Sequence, residues 1–303
     1  MTTNNKKPIL VTGSHRSGSS WTGKMIALHP SVAYINEPFN IQHTPIVCKA
    51  KFDHWFTYIC EINEKEYLKD IEECIQFKYP LYDAAKSITS LKDCAKLARD
   101  YILTLQHRAT HKRALMKDPI ALFSAEWLTR RFNMDAIILI RHPAAFVGSI
   151  KAADWSHPFN HFIEQPLLMK RLEKYRDQIE EYSKENKSSV DQAILLWNLI
   201  HYMIIQYQKN RPDWLYIRHE DLSENPVDEF KKIYTKLNLD FSENIENKMR
   251  SFTQADSSKG IKRDSRSNRW SWKNRLTKEE IAIIKEQTYE IASVFYNDKD
   301  WDE

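Results

Sequence analysis

The chain has 303 residues, 42% hydrophobic and 28% charged, so it is long enough to bury a large core. Its net charge of +4 is too small for the whole surface to attract polyanions. Any anion site must therefore come from a local cluster of basic residues. The N-terminus lacks the apolar core of a secretory signal, and the longest apolar run, 193–205, is too short to span a bilayer. These features predict a soluble protein without a membrane span.

Short apolar runs alternate with longer segments of helical periodicity, which predicts an α/β protein with a mainly parallel sheet. No repeat or linker divides the chain, so we expect a single domain over residues 1–303. The predicted strands cover residues 8–11, 113–116, 135–140 and 214–217, with one more short strand just before Glu37. The predicted helices cover residues 20–28, 64–78, 91–107, 121–132, 143–151, 190–208 and 227–237, and a last one starts at Lys278 behind a capping box.

The first strand leads into the loop GSHRSGSS, residues 13–20. A Gly-rich turn between a strand and a helix lets backbone N–H groups converge on an anion, and the helix dipole adds to the attraction. Loops of this spacing that bind nucleoside triphosphates carry Lys directly after the second glycine, but here that residue is Ser19 and the cation is Arg16. The loop is therefore expected to hold a phosphate beside a reacting group and to be a poor site for Mg-ATP. A simple helix cap is the alternative.

The segment HRSGSSW, residues 15–21, resembles the 5′-phosphosulfate loop of the sulfotransferase family. Members of that family use 3′-phosphoadenosine 5′-phosphosulfate (PAPS) as sulfuryl donor. The resemblance implies a three-layer α/β sandwich, the P-loop NTPase-like sulfotransferase fold, and a catalytic role for Arg16. It assigns the remaining loop residues to PAPS binding: His15, Ser17, Gly18, Ser19, Ser20 and Trp21.

A second anion site is predicted where the strand 135–140 ends in Arg141, because ligands of open α/β sheets bind beyond the carboxyl ends of strands. Pro143 is well placed to open the next helix, and Ser149 follows two turns later. Arg-x-Pro with a Ser eight residues after the Arg resembles the family's 3′-phosphate motif. This resemblance assigns Arg141 and Ser149 to PAPS, and an incidental arginine at a strand–helix junction is the alternative.

Two C-terminal segments extend the resemblance. YIRHEDLSENP, residues 216–226, is similar to the family's strand-end Tyr-Glu-Asp-Leu segment and makes His219 a candidate for stacking on adenine. WSWKNRLTKEEI, residues 270–281, resembles the Trp-Lys-Asn segment that closes over the nucleotide, and its two tryptophans suit a clamp or a base stack. Arg266 and Arg269 in the basic stretch before it are further candidates for PAPS binding. A solvated basic loop is the alternative.

The acceptor side is predicted from INEPFN, residues 35–40, because Glu-Pro segments lie by the acceptor in carbohydrate and protein sulfotransferases. Glu37 is the candidate base, although an exposed Glu without a catalytic role fits the same pattern. ALMKDP resembles the segment where small-molecule sulfotransferases carry a catalytic His, but Pro119 stands at that position. Proton removal is therefore assigned to Glu37, with Asp118 as an alternative, and Lys117 is either a second catalytic cation or a structural ion-pair lysine.

We therefore predict a PAPS-dependent sulfotransferase whose acceptor hydroxyl belongs to a glycan, a glycolipid or a small molecule. The leaving group is a single phosphate, so no metal is expected, and no nucleic-acid partner is expected either. One alternative is a P-loop kinase-like phosphotransferase that binds Mg-ATP. Others are a catalytically inactive PAPS-binding relative and a non-catalytic nucleotide or nucleic-acid binder, which would show a steep salt dependence.

The segments 41–112 and 151–187 are expected to shape the acceptor pocket. They contain aromatic residues that suit either a sugar platform or an ordinary core: Phe52, Trp55, Phe56, Tyr58, Trp155, Phe159 and Phe162. The four cysteines show no metal-ligand spacing, and Cys74 and Cys94 fall at apolar positions of helical patterns, which predicts packed free thiols. A reducing, cytoplasmic location is expected.

Overall fold

The computed structural model describes residues 7–43, 47–86, 90–253 and 270–302. Its centre is a five-stranded sheet in the order β2-β3-β1-β4-β5, and all four strand pairs are parallel. The strands are β1 (Ile9–Gly13), β2 (Val32–Asn36), β3 (Arg113–Lys117), β4 (Asp135–Ile140) and β5 (Leu215–Arg218). The predicted α/β class and parallel sheet are confirmed.

The strands read as continuous apolar runs because both faces of the sheet are covered. Successive side chains of each strand point to opposite faces of the sheet. Leu10 of β1 and Ile138 of β4 join one buried cluster, whereas Val11 and Ile137 join the other. This arrangement gives the three layers of the predicted sandwich.

The described residues form fifteen α-helices around the sheet. They are α1 (Ser19–Ile26), α2 (Leu68–Ile75), α3 (Leu81–Lys86), α4 (Leu91–Ala109), α5 (Ala125–Phe132), α6 (Pro143–Ala152), α7 (Asn160–Ile163), α8 (Pro166–Arg171), α9 (Arg176–Lys184), α10 (Ser189–Asn210), α11 (His219–Glu224), α12 (Pro226–Lys236), α13 (Glu243–Thr253), α14 (Lys278–Ala292) and α15 (Lys299–Asp302). Pro143 is the first residue of α6, and α14 opens with the predicted capping box between Thr277 and Glu280. None of the helices in the described part of the chain has the length and apolar character needed to cross a membrane.

Two predicted helices are interrupted. The segment predicted as 64–78 begins with the 3₁₀ turn Glu64–Glu66, and its α-helix ends at Ile75, shortly before Phe77 adopts a positive φ of 54°. The segment predicted as 121–132 begins as the 3₁₀ helix Pro119–Ser124, because Asp118 caps the N–H groups of its first turn. Local capping and backbone geometry therefore override the longer apolar periodicity.

All four cysteines are free thiols, and Cys48 and Cys74 are buried. The prediction that Cys94 is packed was wrong, since its side chain is exposed. Cys94 lies on α4, where no side chain between Lys92 and Ala109 is buried. The apolar periodicity of this helix thus marks a face that the described part of the protein does not cover.

Candidate active site

A cavity of about 1120 Å³ lies beyond the carboxyl ends of the strands and contains both predicted anion motifs. Ligand sites of drug size span ~300–1,000 Å³, so this cavity has room for a nucleotide and a second reactant. Its lining comes from the loop after β1, the segments after β2 and β4, and helices α6, α10 and α11. The predicted position beyond the sheet agrees with the general rule for open α/β folds.

Two glycines allow the opening loop to approach its neighbours closely. Gly13 has a φ of 129°, and a Cβ there would lie 2.2 Å from the carbonyl oxygen of Leu139. Gly18 has a φ of 79°, and a Cβ there would lie 2.9 Å from the ring of His219. Both positions require glycine. His219, the predicted adenine residue, therefore lies directly against the phosphate loop at the start of α11, and it lines the cavity.

The cavity wall includes Arg16, the predicted catalytic residue, and most of the loop residues predicted to bind PAPS: His15, Gly18, Ser19, Ser20 and Trp21. Ser17 differs, because its side chain is buried and its hydroxyl donates to the carbonyl of Ser14. Its N–H donates to the same carbonyl, at 3.3 Å. The side chain of Ser17 thus shapes the loop and is not brought to the cavity.

Arg16 joins the two predicted motifs, which are far apart in the sequence. Its Nε donates to the hydroxyl of Ser149 at 2.9 Å, and its guanidinium lies 5.1 Å from the ring centre of Trp155. Arg16 itself has a positive φ of 62°, a strained conformation for a residue with a side chain. The predicted 5′-phosphosulfate loop and the predicted 3′-phosphate motif therefore form one site.

Arg141 is a buried cation whose guanidinium keeps an unused hydrogen-bond donor among the described residues. Its side chain is 8% exposed, and it lines the cavity. Among the described residues its Nε has no hydrogen-bond partner, and the carboxylate of Glu220 is a nearby opposite charge. Burial lowers the pKa of Arg141 to about 10, with Glu220 opposing that shift and Arg16 adding to it. A buried, unsatisfied guanidinium of this kind suits an anionic ligand.

The backbone of Arg141 is fixed by the long helix α10. The indole N–H of Trp197 donates to the Arg141 carbonyl at 2.8 Å. The Arg141 N–H donates to Nε2 of His201 at 3.5 Å, and that ring is completely buried against Trp197. On the other side, the N–H of His142 donates to the buried carboxylate of Glu220 at 3.1 Å. The polar residue His201 within the apolar run of α10 therefore has a structural role at the site.

His15 brings a neutral imidazole next to the arginines. Burial lowers its pKa to about 3, and the charges of Arg16 and Arg141 add to that effect. The ring packs edge-on against Phe146, with ring centres 4.8 Å apart, and lies 5.7 Å from the ring of Phe56. At neutral pH the cation of this loop is therefore Arg16 alone.

Glu37, the predicted base, lies on the cavity wall and is ion-paired with Lys117. It has a φ of 47°, and its N–H donates to the Lys117 carbonyl at 2.8 Å. Lys117 is 1% exposed and does not line the cavity. It therefore positions Glu37, and the structure does not bring it to the cavity as a second cation.

Asp118, the alternative base, is fully buried within the protein framework. Its carboxylate accepts hydrogen bonds from the N–H groups of Phe39 at 2.6 Å, Ile120 at 3.0 Å and Ala121 at 3.3 Å. Burial raises its pKa to about 7. Asp118 does not line the cavity, so Glu37 is the carboxylate that a ligand can reach.

The C-terminal predictions have mixed outcomes. Arg266 and Arg269 lie outside the described residues. Trp272 is buried in the core with its ring stacked on His142, so it is unavailable to a nucleotide base. Arg275, which sequence reasoning did not single out, lines the cavity. Its position in the segment 270–281 was a signal, but not one that separates Arg275 from the neighbouring basic residues.

Part of the cavity wall is aromatic. Trp55, Phe56 and Trp155 line it, whereas the other aromatic candidates Phe52, Phe159 and Phe162 are buried in the core. His157 and Gln192 also line the cavity. Sequence reasoning missed both, because a polar residue within a segment of short turns carries no periodic signal.

Strained backbone conformations cluster around the same cavity. Arg16, Glu37, Phe56 and Asp154 all line it, and all four have positive φ angles. Such conformations cost ~1–3 kcal/mol each and persist where the surrounding structure holds them, often at functional sites. The clustering therefore supports the cavity as the functional centre.

The sequence model of the Sulfotransferase family matches residues 8–243, which is most of the chain. The chain belongs to the sulfotransferase family. Among solved structures, it is similar to the sulfotransferase domain from the curacin biosynthetic pathway, with 15% identity, a TM-score of 0.50, and coverage of 93% of this chain and 97% of that one. It is also similar to the sulfotransferase domain of the Synechococcus PCC 7002 olefin synthase, with 16% identity, a TM-score of 0.51, and coverage of 98% of each chain. No curated protein sequence matches this sulfotransferase.

These two likenesses show that the fold is that of sulfotransferases. The family membership and the fold together establish a transferase of sulfuryl groups in general terms. They confirm the family and the P-loop-type fold predicted from the opening loop and the Arg141 motif.

Proposed function

We propose that this protein transfers the sulfuryl group of PAPS to an acceptor hydroxyl. The observation that carries the proposal is Arg141, a buried guanidinium in the cavity whose Nε has no hydrogen-bond partner among the described residues. A ligand with a phosphate at this point would satisfy it, and PAPS carries its 3′-phosphate as a second anionic group beside the phosphosulfate. The contact between Arg16 and Ser149 supports one continuous site for both groups.

In this proposal the two ends of PAPS are held by different elements. Arg141 and Ser149 bind the 3′-phosphate, with Trp197 and His201 fixing the backbone of Arg141. Arg16 and the N–H groups at the start of α1 bind the 5′-phosphosulfate, where the helix dipole favours negative charge. His219 and Trp21 lie on the wall beside the loop and are the proposed adenine contacts.

The proposed reaction is a single in-line displacement. The acceptor oxygen forms a bond to sulfur while the bond from sulfur to the 5′-phosphate oxygen breaks, and the products are a sulfate ester and 3′,5′-adenosine diphosphate. Glu37 takes the hydroxyl proton, and Lys117 holds its carboxylate in place. Arg16 and the loop amides stabilise the charge that develops on the leaving oxygen. These steps require positioning and fixed charges, and we propose that they proceed without a metal ion.

The acceptor binds, in this proposal, against the aromatic side chains of the cavity that Glu37 also lines. Flat side chains such as Trp55 and Trp155 there suit the apolar face of a sugar ring or another planar group, consistent with a glycan, glycolipid or small-molecule hydroxyl. We further propose a cytoplasmic location, since all four cysteines are free thiols.

The test is a comparison of nucleotides by thermal unfolding. The protein is heated with 3′,5′-adenosine diphosphate, with 5′-AMP and with ATP plus Mg²⁺, each with and without EDTA. A ligand at ~100 times its Kd adds ~2.7 kcal/mol, which raises the midpoint by several degrees. We expect the largest shift with 3′,5′-adenosine diphosphate, and we expect EDTA to leave it unchanged.

A shift with ATP and Mg²⁺ alone would contradict the proposal and favour a phosphotransferase. A shift with 3′,5′-adenosine diphosphate is followed by radiolabelled PAPS and a panel of glycan, lipid and phenolic acceptors. Failure of every acceptor in that panel, with nucleotide binding intact, would favour an inactive PAPS-binding relative.

A further inference from the structure

None of the described side chains of helix α4 is buried. It spans Leu91–Ala109, and from Lys92 onward each of its residues is exposed or half-buried. Its inner side packs on the preceding segment, through ring contacts of Tyr101 with Tyr79 at 5.7 Å and of His107 with Phe77 at 5.3 Å. The remaining surface of this nineteen-residue helix faces away from the described core.

The outward surface of α4 carries an apolar stripe. At 100° per residue, Ala95, Ala98, Ile102, Leu105 and Ala109 fall on one side of the helix. The side chain of Ile102 is 53% exposed and that of Leu105 is 41% exposed. The same helix also exposes Leu103, and α3 exposes Leu81 and Tyr82, so five of the eleven large exposed apolar residues described lie on these two helices. Such clustering marks an interaction site.

The charge of the same region is positive. Residues 78–112 contain seven Lys or Arg and three Asp, a net +4 that equals the net charge of the whole chain. On the helical wheel Arg99 and Lys92 lie beside the apolar stripe and Lys96 lies farther round, whereas the two aspartates of α4 lie on the opposite side. Arg99 is also ion-paired with Asp100 at 2.8 Å, so Lys92 and Lys96 carry most of the exposed positive charge of this flank. A basic flank beside an exposed apolar stripe is typical of helices that lie in a membrane interface.

We propose that α3 and α4 dock the protein on an anionic lipid surface, with Ile102 and Leu105 inserted at the headgroup level. The basic residues beside the stripe supply the attraction to anionic headgroups, and the apolar residues supply the burial that the described part of the protein does not provide. The charge decides between this occupant and a second copy of the chain. In an antiparallel twofold pair of α4 helices, the basic flank of each helix faces the same flank of the other, which is repulsive.

The test is sedimentation of the full chain with lipid vesicles. We expect binding to phosphatidylcholine vesicles that contain phosphatidylglycerol, little binding to pure phosphatidylcholine, and a loss of binding at high salt. The double substitution Ile102→Ser with Leu105→Ser, and separately Lys92→Glu with Lys96→Glu, should each weaken binding by roughly tenfold or more. These positions are exposed, so thermal unfolding of both variants should match that of the unsubstituted protein.

The matched control is Ile283→Ser with Tyr289→Ser, which removes two exposed apolar side chains from α14. This control should bind anionic vesicles like the unsubstituted protein. The proposal is overturned if the protein ignores anionic vesicles, or if the control loses binding as strongly as the α4 variants. It is also overturned if the free protein is a dimer that Ile102→Ser with Leu105→Ser converts to a monomer, because a second copy would then cover the stripe. None of these readouts uses nucleotide or sulfuryl transfer, so they stand apart from the proposed function.

Discussion

At the scale of single residues, two arginines of the cavity have different surroundings and therefore different proposed roles. Arg141 is buried, and hydrogen bonds hold its backbone on both sides. Its Nε has no hydrogen-bond partner among the described residues. Arg16 is exposed on a loop and contacts Ser149 and Trp155. A fixed, buried cation suits the recognition of a group that the reaction leaves unchanged, which in the proposed function is the 3′-phosphate. A cation on the loop suits the reacting group, the 5′-phosphosulfate.

Substitution of Arg141 by Gln should remove the preference for a 3′-phosphate. A hydrogen bond to a charged group contributes ~1.5–3 kcal/mol, so affinity for 3′,5′-adenosine diphosphate should fall by roughly 10- to 100-fold. Affinity for 5′-AMP, which lacks the 3′-phosphate, should change little. Isothermal titration calorimetry with both nucleotides measures the ratio. An equal loss for both would show that Arg141 supports the fold of the site and does not read the 3′-phosphate.

Substitution of Arg16 by Ala should act mainly on the rate of transfer. Loss of one group that stabilises a developing oxyanion costs ~10²–10³ in rate, and Arg16→Lys should recover part of that loss because it restores the charge. Since Arg16→Ala removes the hydrogen bond to Ser149, unfolding free energy should fall by ~0.5–1.5 kcal/mol. Single-turnover transfer from radiolabelled PAPS to an accepted substrate measures the effect. A rate within a fewfold of the unsubstituted enzyme would assign the leaving-group charge to another residue.

At the scale of elements, α10 connects the core to the site. It is a mostly apolar helix of 22 residues, and most of its middle residues are buried. Two of its polar residues are nevertheless bonded to specific groups: Asn198 donates to the carbonyl of Gln287 in α14 at 3.0 Å, and His201 accepts from the N–H of Arg141. Packing and site geometry are therefore set by the same helix.

Trp197→Phe tests this link, because it removes the indole N–H and leaves the Arg141 carbonyl without that donor. An unsatisfied buried acceptor costs ~1–3 kcal/mol of unfolding free energy, and selectivity for 3′,5′-adenosine diphosphate over 5′-AMP should also decrease. Trp214→Phe is the matched control, since Trp214 is buried and its Nε1 has no partner among the described residues. Urea unfolding and calorimetry of both variants provide the comparison. Equal nucleotide selectivity in the two variants would contradict a positioning role for Trp197.

The sequence predicted the sheet well because its strands are short apolar runs with both faces buried. The strand predicted at 135–140 agrees with β4, and Arg113 and Arg141 lie where the prediction placed them relative to the strands. The region 151–187 was left without elements, and it contains the short helices α7, α8 and α9. Helices of four to nine residues, separated by turns, give too few periods for a pattern to be read from the sequence.

The candidate site was predicted where motifs are local in sequence and missed where contacts are long-range. The loop and the Arg141 motif each have a fixed spacing, so Arg16, Arg141 and Ser149 were predicted, and the structure brings all three to one cavity. The burial of Ser17, and the pairing of Glu37 with a Lys117 that lies off the cavity wall, depend on how separate elements pack. Sequence spacing contains no information about such contacts.

At the scale of the whole molecule, several buried ionisable groups couple stability to pH in opposite directions. Burial lowers the pKa values of His15, His157 and His201 to about 3 each, so these rings stay neutral in the folded protein. Burial raises the pKa of Asp118 to about 7 and also raises that of Glu220, so these carboxyls hold protons more tightly when folded. The number of protons taken up by each state decides which effect dominates.

Stability should rise as the pH increases from about 4 to about 5.5, a range in which imidazoles with the usual pKa of ~6.5 are almost fully protonated. In this range the unfolded chain protonates three imidazoles near their usual pKa of ~6.5, whereas the folded protein keeps them neutral. The two carboxyls act in the opposite sense, because the folded state retains up to two protons that the unfolded chain releases. The three imidazoles of the unfolded chain bind up to three protons, whereas the two carboxyls of the folded protein bind up to two. The unfolded state therefore binds more protons, and unfolding free energy increases with pH under that condition.

Urea unfolding at several pH values in this range measures the slope, and two variants separate the opposing groups. His201→Gln removes one proton that the unfolded state binds. The slope of unfolding free energy against pH should therefore fall by ~1.4 kcal/mol per pH unit, the value for one proton. Asp118→Asn removes a proton that the folded state binds, so the same slope should rise by a similar amount. Because the two variants shift the slope in opposite directions, a general loss of stability cannot produce both results. A slope of opposite sign in the unsubstituted protein would mean that the buried carboxyls, and not the buried histidines, control its response to acid.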